Sequence, residues 1–330
     1  MDSDSPVLLT LSSLIVSRIK EALGCGIVAL VVSTGVYGIT ILQAYIYFRS
    51  SGKDSGRLRS FVALLFILDT TSLVLAVDAL WEYIVTDFGE TWLLLQLPRV
   101  LAFENGITYL IATLTQCFFA YRLWGLSRGN VLLVTSIVIL SFVSLGMAIV
   151  VCVRNYTDPG FPELATLEMR WLIGLANGLS VPCDVLITVG LSYYLNSKRT
   201  GFKRTDSIIN RPIIYAVNRG ALTAICQAGL TIVFIAFPGH LFHLPFDLLS
   251  GKLYCNTLFA TLNAQKAIRV DGDNVMEANS LVLNLSRANA AAAWNGTGQR
   301  APSERTGDST LTGSLKIMGS ERMQAGVSDA

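Results

Sequence analysis

The feature that most constrains this chain is a series of apolar runs of about 20 residues or more, each long enough to cross a hydrocarbon core of about 30 Å as a helix rising about 1.5 Å per residue. They fall near residues 23–48, 60–85, 101–124, 130–153, 170–195, 213–237 and 243–264. The third contains Glu104 and Asn105 and the seventh contains Lys252, yet Pro98 precedes the third and Pro238, Gly239 and Pro245 mark the start of the seventh. With 52% hydrophobic and only 15% charged residues, the 330-residue chain has too little polar surface for an ordinary soluble domain. The pattern predicts an all-α fold, a seven-helix transmembrane bundle.

Positive charge sets the expected orientation, because loops rich in Lys and Arg stay on the cytosolic side during insertion. The first, third and fifth loops hold eleven such residues, among them Arg49, Arg57, Arg59, Arg122 and Arg128, whereas the second, fourth and sixth hold three, Arg99, Arg154 and Arg170. The expected topology therefore has the N-terminus outside and the C-terminus in the cytosol. Residues 1–22 read as a short outer segment, since Asp2 and Asp4 stand where a cleaved signal peptide would carry basic residues. Residues 23–269 form the membrane domain. From about residue 270 to 330 the composition turns to Ser, Thr, Gly, Ala and Asn with mixed charges, a segment too poor in apolar surface to offset its ordering entropy. It reads as a disordered cytosolic tail.

Several function classes find no footing. A net charge of +2 gives no reason to expect nucleic acid as a partner. Cys25, Cys117, Cys152, Cys183, Cys226 and Cys255 all lie within or beside apolar runs, with no disulfide or metal-ligand spacing. The two histidines, His240 and His243, sit in the sixth loop without a third ligand. No catalytic residue, metal site or cofactor is expected. The lipid bilayer itself is the one partner the composition demands, and plasma membrane and endomembrane are not distinguished. Asn155 opens a glycosylation sequon in the fourth loop, but it follows its helix so closely that a glycan there would be crowded.

Ionisable residues at membrane depth are costly and need partners, so their places are informative. Counted from the cytosolic helix ends, Asp69 lies about 13 Å deep, Asn256 about 12 Å, Asp184 about 16 Å and Lys252 about 18 Å. A polar layer of Asp69, Asp184, Lys252 and Asn256 across helices 2, 5 and 7 is expected, either as a packing network or as a ligand, ion or proton site. Asp78 and Glu104 form a second pair near the outer face, expected to line a vestibule. A lysine in the last helix has the chemistry to carry a retinal Schiff base, but helix 3 shows no matching pattern, and Trp81, Trp92, Tyr121, Trp124, Tyr193 and Tyr194 read as interfacial belts.

Two further features concern surfaces. Gly174 and Gly178 are four apart in helix 5 and permit another helix to approach closely, with Pro182 one turn on expected to kink it beside Asp184. The fifth loop carries Lys198, Arg199, Lys203, Arg204 and Arg211, a basic set that serves as a positive-inside anchor or, with the tail, as a docking surface for a cytosolic partner.

The stretches Gly35-Val36-Tyr37-Gly38-Ile39-Thr40, Gln116-Cys117-Phe118-Phe119-Ala120-Tyr121-Arg122, Gly201-Phe202-Lys203-Arg204-Thr205-Asp206 and Lys252-Leu253-Tyr254-Cys255-Asn256, together with Asp69, resemble an uncharacterised seven-transmembrane family of mushroom-forming (basidiomycete) fungi, a domain of unknown function. The resemblance covers about residues 25 to 270. It implies a multi-pass fungal membrane protein and supplies no activity. Three functions stay open: a receptor-like signalling or sensing protein for an unidentified small ligand, a channel or transporter using the Asp/Lys/Asn layer, and a purely structural membrane protein. The receptor analogy is architectural. Helix 3 ends in Ala120-Tyr121-Arg122, without the acid many seven-helix receptors place before the arginine, and helix 7 lacks their Asn-Pro pair.

Overall fold

The computed structural model describes residues 5–87, 90, 96–127, 129–160, 166–197, 203–237 and 240–266. Among the described residues there are seven α-helices and no strand. They are α1 (Ser5–Arg49), α2 (Gly56–Trp81), α3 (Arg99–Leu126), α4 (Val131–Thr157), α5 (Leu167–Asn196), α6 (Lys203–Ala236) and α7 (244–266). All seven belong to one compact unit, Met1–Asp271.

The breaks between helices follow from local chemistry. Ser55, Asn130 and Thr166 accept hydrogen bonds from the backbone N–H groups of Leu58, Leu133 and Met169, which caps α2, α4 and α5. Pro98 stands at the N-cap of α3, and Gly129, at φ +88°, turns the chain between α3 and α4. A 3-10 turn at Ser51–Lys53 joins α1 to α2, and α2 ends in a π-helical turn, Glu82–Thr86.

Successive helices run antiparallel, so the connections gather at two ends. At one end Leu97 N–H bonds Pro159 O at 2.7 Å, and Glu21 of α1 receives His240 Nδ1 at 2.8 Å and the N–H of Leu241 at 3.1 Å. At the other end Lys266 pairs with Asp54 at 2.8 Å and caps Tyr47 O at 3.1 Å, Asn263 bonds Gln43 O, and Arg122 bonds Gln265. The first end carries the acidic connections and the second the basic ones.

Burial runs opposite to apolarity. Among the described residues, Val16–Arg49, Gly56–Thr86, Val131–Thr157 and Leu167–Asn196 are the helical stretches long and apolar enough to cross a membrane, and a third or less of each apolar stretch is buried. Val31 is 66% exposed, Ile67 60%, Leu132 80% and Val189 61%. Facing water, each such side chain would forgo about 25 cal/mol for every Å² left unburied. Facing lipid, it forgoes nothing. These helices mark a membrane-embedded protein. Of the remaining helices, α3 and α7 are less apolar because they carry the polar side chains of the interior, and α6 contributes the apolar stretch Gly220–Ala236 among the described residues. None of residues 244–266 is exposed, so α7 is enclosed by its neighbours.

Several expected boundaries move. The outer segment 1–22 is expected as a separate piece, but α1 begins at Ser5 and runs on into the first span. The fifth loop is expected to reach Arg211, but α6 begins at Lys203, so Lys203, Arg204 and Arg211 are on a helix. Lys198, Arg199 and the tail from 270 lie outside the described residues, as do the side chains of Lys203, Arg204 and Arg211. Gly174 and Gly178 are not where helices meet most closely. A Cβ on Gly178 would touch nothing within 4 Å, whereas one on Gly251 would stand 2.9 Å from Thr108 Oγ1, and Gly220 is packed against Thr188.

Candidate functional site

Two apolar clusters fill the two halves of the bundle. One is built around Tyr47, Leu65, Phe119, Ile187 and Phe259, the other around Ala29, Leu101, Val151, Phe234 and Leu248. Between them by helix position lies a polar layer. Asp69 and Ser72 are one turn apart on α2, Glu104 and Thr108 one turn apart on α3, and each pair shares a helix face. Lys252 reaches them from α7.

The ammonium of Lys252 lies 3.0 Å from Asp69 Oδ1 and donates to the main-chain oxygen of Asp69 at 2.7 Å and to Ser72 Oγ at 3.1 Å. Ser72 in turn donates to Glu104 Oε1 at 2.7 Å, and Thr108 donates to the same oxygen at 2.9 Å. Ser72 thus relays between the ammonium and the second carboxylate. Asp69 and Glu104 are 0% exposed and Lys252 is 1% exposed. Glu104 Oε2 is buried with no hydrogen-bond partner. Two carboxylates therefore share one ammonium in a setting where charge is poorly screened. The Lys252 ammonium thus has an ion pair with Asp69 and two hydrogen bonds, with the Tyr37 ring 5.8 Å away.

Asp184 belongs to a different cluster. Tyr254 donates its hydroxyl to Asp184 Oδ2 at 2.7 Å, Gln116 donates to Oδ1 at 3.4 Å, and Ser141 donates to Gln116 Oε1 at 2.8 Å. These groups tie α3, α4, α5 and α7 together on the basic side of the ion pair. Of the four residues expected to form one layer, Asp69 and Lys252 meet, Asp184 is held by Tyr254 and Gln116, and Asn256 stands half-buried one turn beyond Lys252 with no hydrogen bond to any of them. The other expected pair separates. Asp78 is exposed on α2, while Glu104 faces inward to Ser72 and Thr108.

On the acidic side of the ion pair, a cavity of about 40 Å³ opens among α3, α4, α5, α6 and the start of α7. That is space for a few water molecules. Asn105, Tyr109, Asn155, Asn177, His243 and Asp247 supply its polar lining, and Leu101, Val151, Ile173 and Leu230 its apolar wall. Tyr109 donates to Asn177 Oδ1 at 2.9 Å and Asn177 donates to Ile173 O at 3.1 Å. Asn105 Oδ1 has no hydrogen-bond partner. Asp247 is 8% exposed, and among the described residues nothing pairs with its carboxylate. Asn155, in the last turn of α4, is 9% exposed.

Most of these contacts are made by uncharged side chains. Ser72, Thr108, Tyr109, Gln116, Ser141, Asn177 and Tyr254 make the connections, and all sit in apolar runs as single uncharged polar residues. Their signal was helical spacing: Ser72 three after Asp69, and Thr108 four after Glu104.

Among curated proteins and solved structures nothing matches this chain. Residues 180–267, which run from the middle of α5 through α7 and carry Asp184, Asp247, Lys252 and Tyr254, match a family of unknown function, DUF6534.

Proposed function

We propose that this is a receptor-like protein of a fungal membrane, with seven spans, its N-terminus outside and its C-terminus in the cytosol. A small ligand occupies the cavity at the outer, acidic end, and the ion-pair layer conveys that occupancy to the cytosolic end. The observation that carries this reading is the unpaired Asp247 carboxylate in the cavity wall. It is supported by α7, one rigid element that holds Asp247 in the cavity, Lys252 in the ion pair, and Gln265 and Lys266 in the contacts to Arg122, Asp54 and Tyr47. Asp247 and Lys252 are five residues apart, about 7.5 Å along the helix. A shift of α7 at the cavity therefore loads the ion pair directly. The basic set Lys198, Arg199, Lys203, Arg204 and Arg211, with the tail, then presents the surface for a cytosolic partner.

Filling the cavity tests this without knowledge of the ligand. Ala102, 6% exposed, lines it. Ala102→Phe in nanodiscs should change amide hydrogen exchange at residues 258–266, at the opposite end of the bundle. Unchanged exchange there, with the variant folded, overturns the reading.

A second reading, a proton or cation channel or transporter, draws on one observation of its own. Asp247, Glu104 and Asp69 are buried carboxylates that follow one another inward from the cavity, against the single ammonium of Lys252. Flux in proteoliposomes that is lost in Asp69→Asn would establish it in place of the receptor. Absence of flux under imposed proton and cation gradients retires it.

A further inference from the structure

We infer that the cavity at the acidic end binds a small alkylammonium ion, a primary amine whose charged head meets Asp247 and whose alkyl part lies on the apolar wall. The inference rests on reading that cavity as a ligand site and adds the chemical class of the ligand. Three properties of the lining lead to it.

The first is charge. Asp247 is more than nine-tenths buried, lines the cavity, and has no hydrogen bond or ion pair from any described side chain. The nearest buried ammonium, Lys252, is held by Asp69 and Ser72. A carboxylate in such surroundings is stabilised by a cation brought to it.

The second is the balance of donors and acceptors. Tyr109 spends its hydroxyl proton on Asn177, and Asn177 spends an amide proton on Ile173 O. His243 donates from Nδ1 to His240 O at 3.2 Å, which leaves Nε2 as the acceptor of a neutral ring. The Asn105 and Asn155 amides can donate as well as accept, but the Asp247 carboxylate and His243 Nε2 offer acceptors alone, and a ligand with N–H donors complements them.

The third is size and wall chemistry. A bare metal cation prefers six or more oxygen ligands, as Ca²⁺ and Mg²⁺ do, and the wall offers apolar carbon from Leu101, Val151, Ile173 and Leu230 over much of its area. An ammonium needs only about three acceptors and brings an alkyl group to cover that carbon. A cavity of about 40 Å³ admits a methyl or ethyl substituent and excludes a long polyamine.

The test uses the full chain in nanodiscs and follows thermal unfolding with methylammonium chloride, with sodium chloride at equal ionic strength, and with acetamide as a small neutral probe. The expected result is a saturable rise in Tm with methylammonium alone. It should persist in Asp247→Glu and disappear in Asp247→Asn and in Ala102→Leu, which occupies the cavity. Should Asp247→Asn fail to fold, Ala102→Leu and Asp247→Glu carry the comparison. Equal stabilisation by methylammonium and sodium chloride overturns the inference, as does a methylammonium effect that survives in Ala102→Leu. Stabilisation by acetamide alone, lost in Ala102→Leu, overturns the ammonium class and leaves the ligand cavity standing. Silence from every probe overturns the ammonium class too, and the exchange measurement on Ala102→Phe then decides the receptor reading separately.

Discussion

At the scale of single residues, Lys252 is the side chain on which most depends. It is fully buried among Asp69 and Ser72, so its removal leaves Asp69 charged and unpaired in the interior. Lys252→Met should cost about 3 to 5 kcal/mol, as losing one member of a buried pair does, and the double variant Asp69→Leu with Lys252→Met should recover most of that. Thermal unfolding in detergent of the two singles and the double reads the coupling. Tyr254→Phe, which takes a donor from Asp184 Oδ2, should cost about 1 to 3 kcal/mol. The ionisable members of these groups were legible in the sequence because charge inside an apolar run is conspicuous. Their partners were not. Depth along a helix follows from counting residues, but which face each helix turns inward depends on packing, and so Asp184 and Lys252, at similar depth, have different neighbours.

At the scale of elements, the helices are held by close approach at particular glycines rather than by the spaced pair in α5. Thr108, which a Cβ on Gly251 would meet at 2.9 Å, is a short side chain committed to Glu104, and Thr188, beside Gly220, is committed to Asp184 O at 2.7 Å. Neither has a flexible end to move aside. Gly251→Ala should destabilise by about 1 to 3 kcal/mol through overpacking, whereas Gly178→Ala, with open space around it, should not. Chemical or thermal unfolding of the two variants side by side checks the contrast. Hydropathy put the starts of α2, α4 and α5 near 60, 130 and 170, close to the caps at Ser55, Asn130 and Thr166 that the structure shows. The start of α6 at Lys203 was not legible, because hydropathy marks where lipid begins and says little about where hydrogen bonding begins.

At the scale of the whole molecule, the fold is inverted with respect to a soluble protein, with its most apolar helices outermost and its charges within. A direct consequence concerns Ile67, 60% exposed near the middle of α2. Ile67→Arg should lower membrane insertion of this helix, by about 2.5 to 3.5 kcal/mol on an insertion scale, while Ile67→Leu should leave it unchanged. An insertion assay with glycosylation tags on either side of the helix measures this. In a water-soluble bundle the same arginine would be harmless on the surface. The seven helical runs were visible in the sequence, while α3 and α7 gave the weakest signals because interior helices carry the polar side chains.

The enclosure of α7 bears on how the chain is made. Of the seven helices it leaves the ribosome last, and no residue of it is fully exposed once the bundle is complete. Until it arrives, Asp69 and Glu104 lack the ammonium of Lys252, and α7 itself, with Asp247 and Lys252 inside it, is poorly suited to enter lipid alone. Assembly therefore finishes with one cooperative step in which the seventh helix joins six waiting partners, and the charges it neutralises are the ones that invite it in.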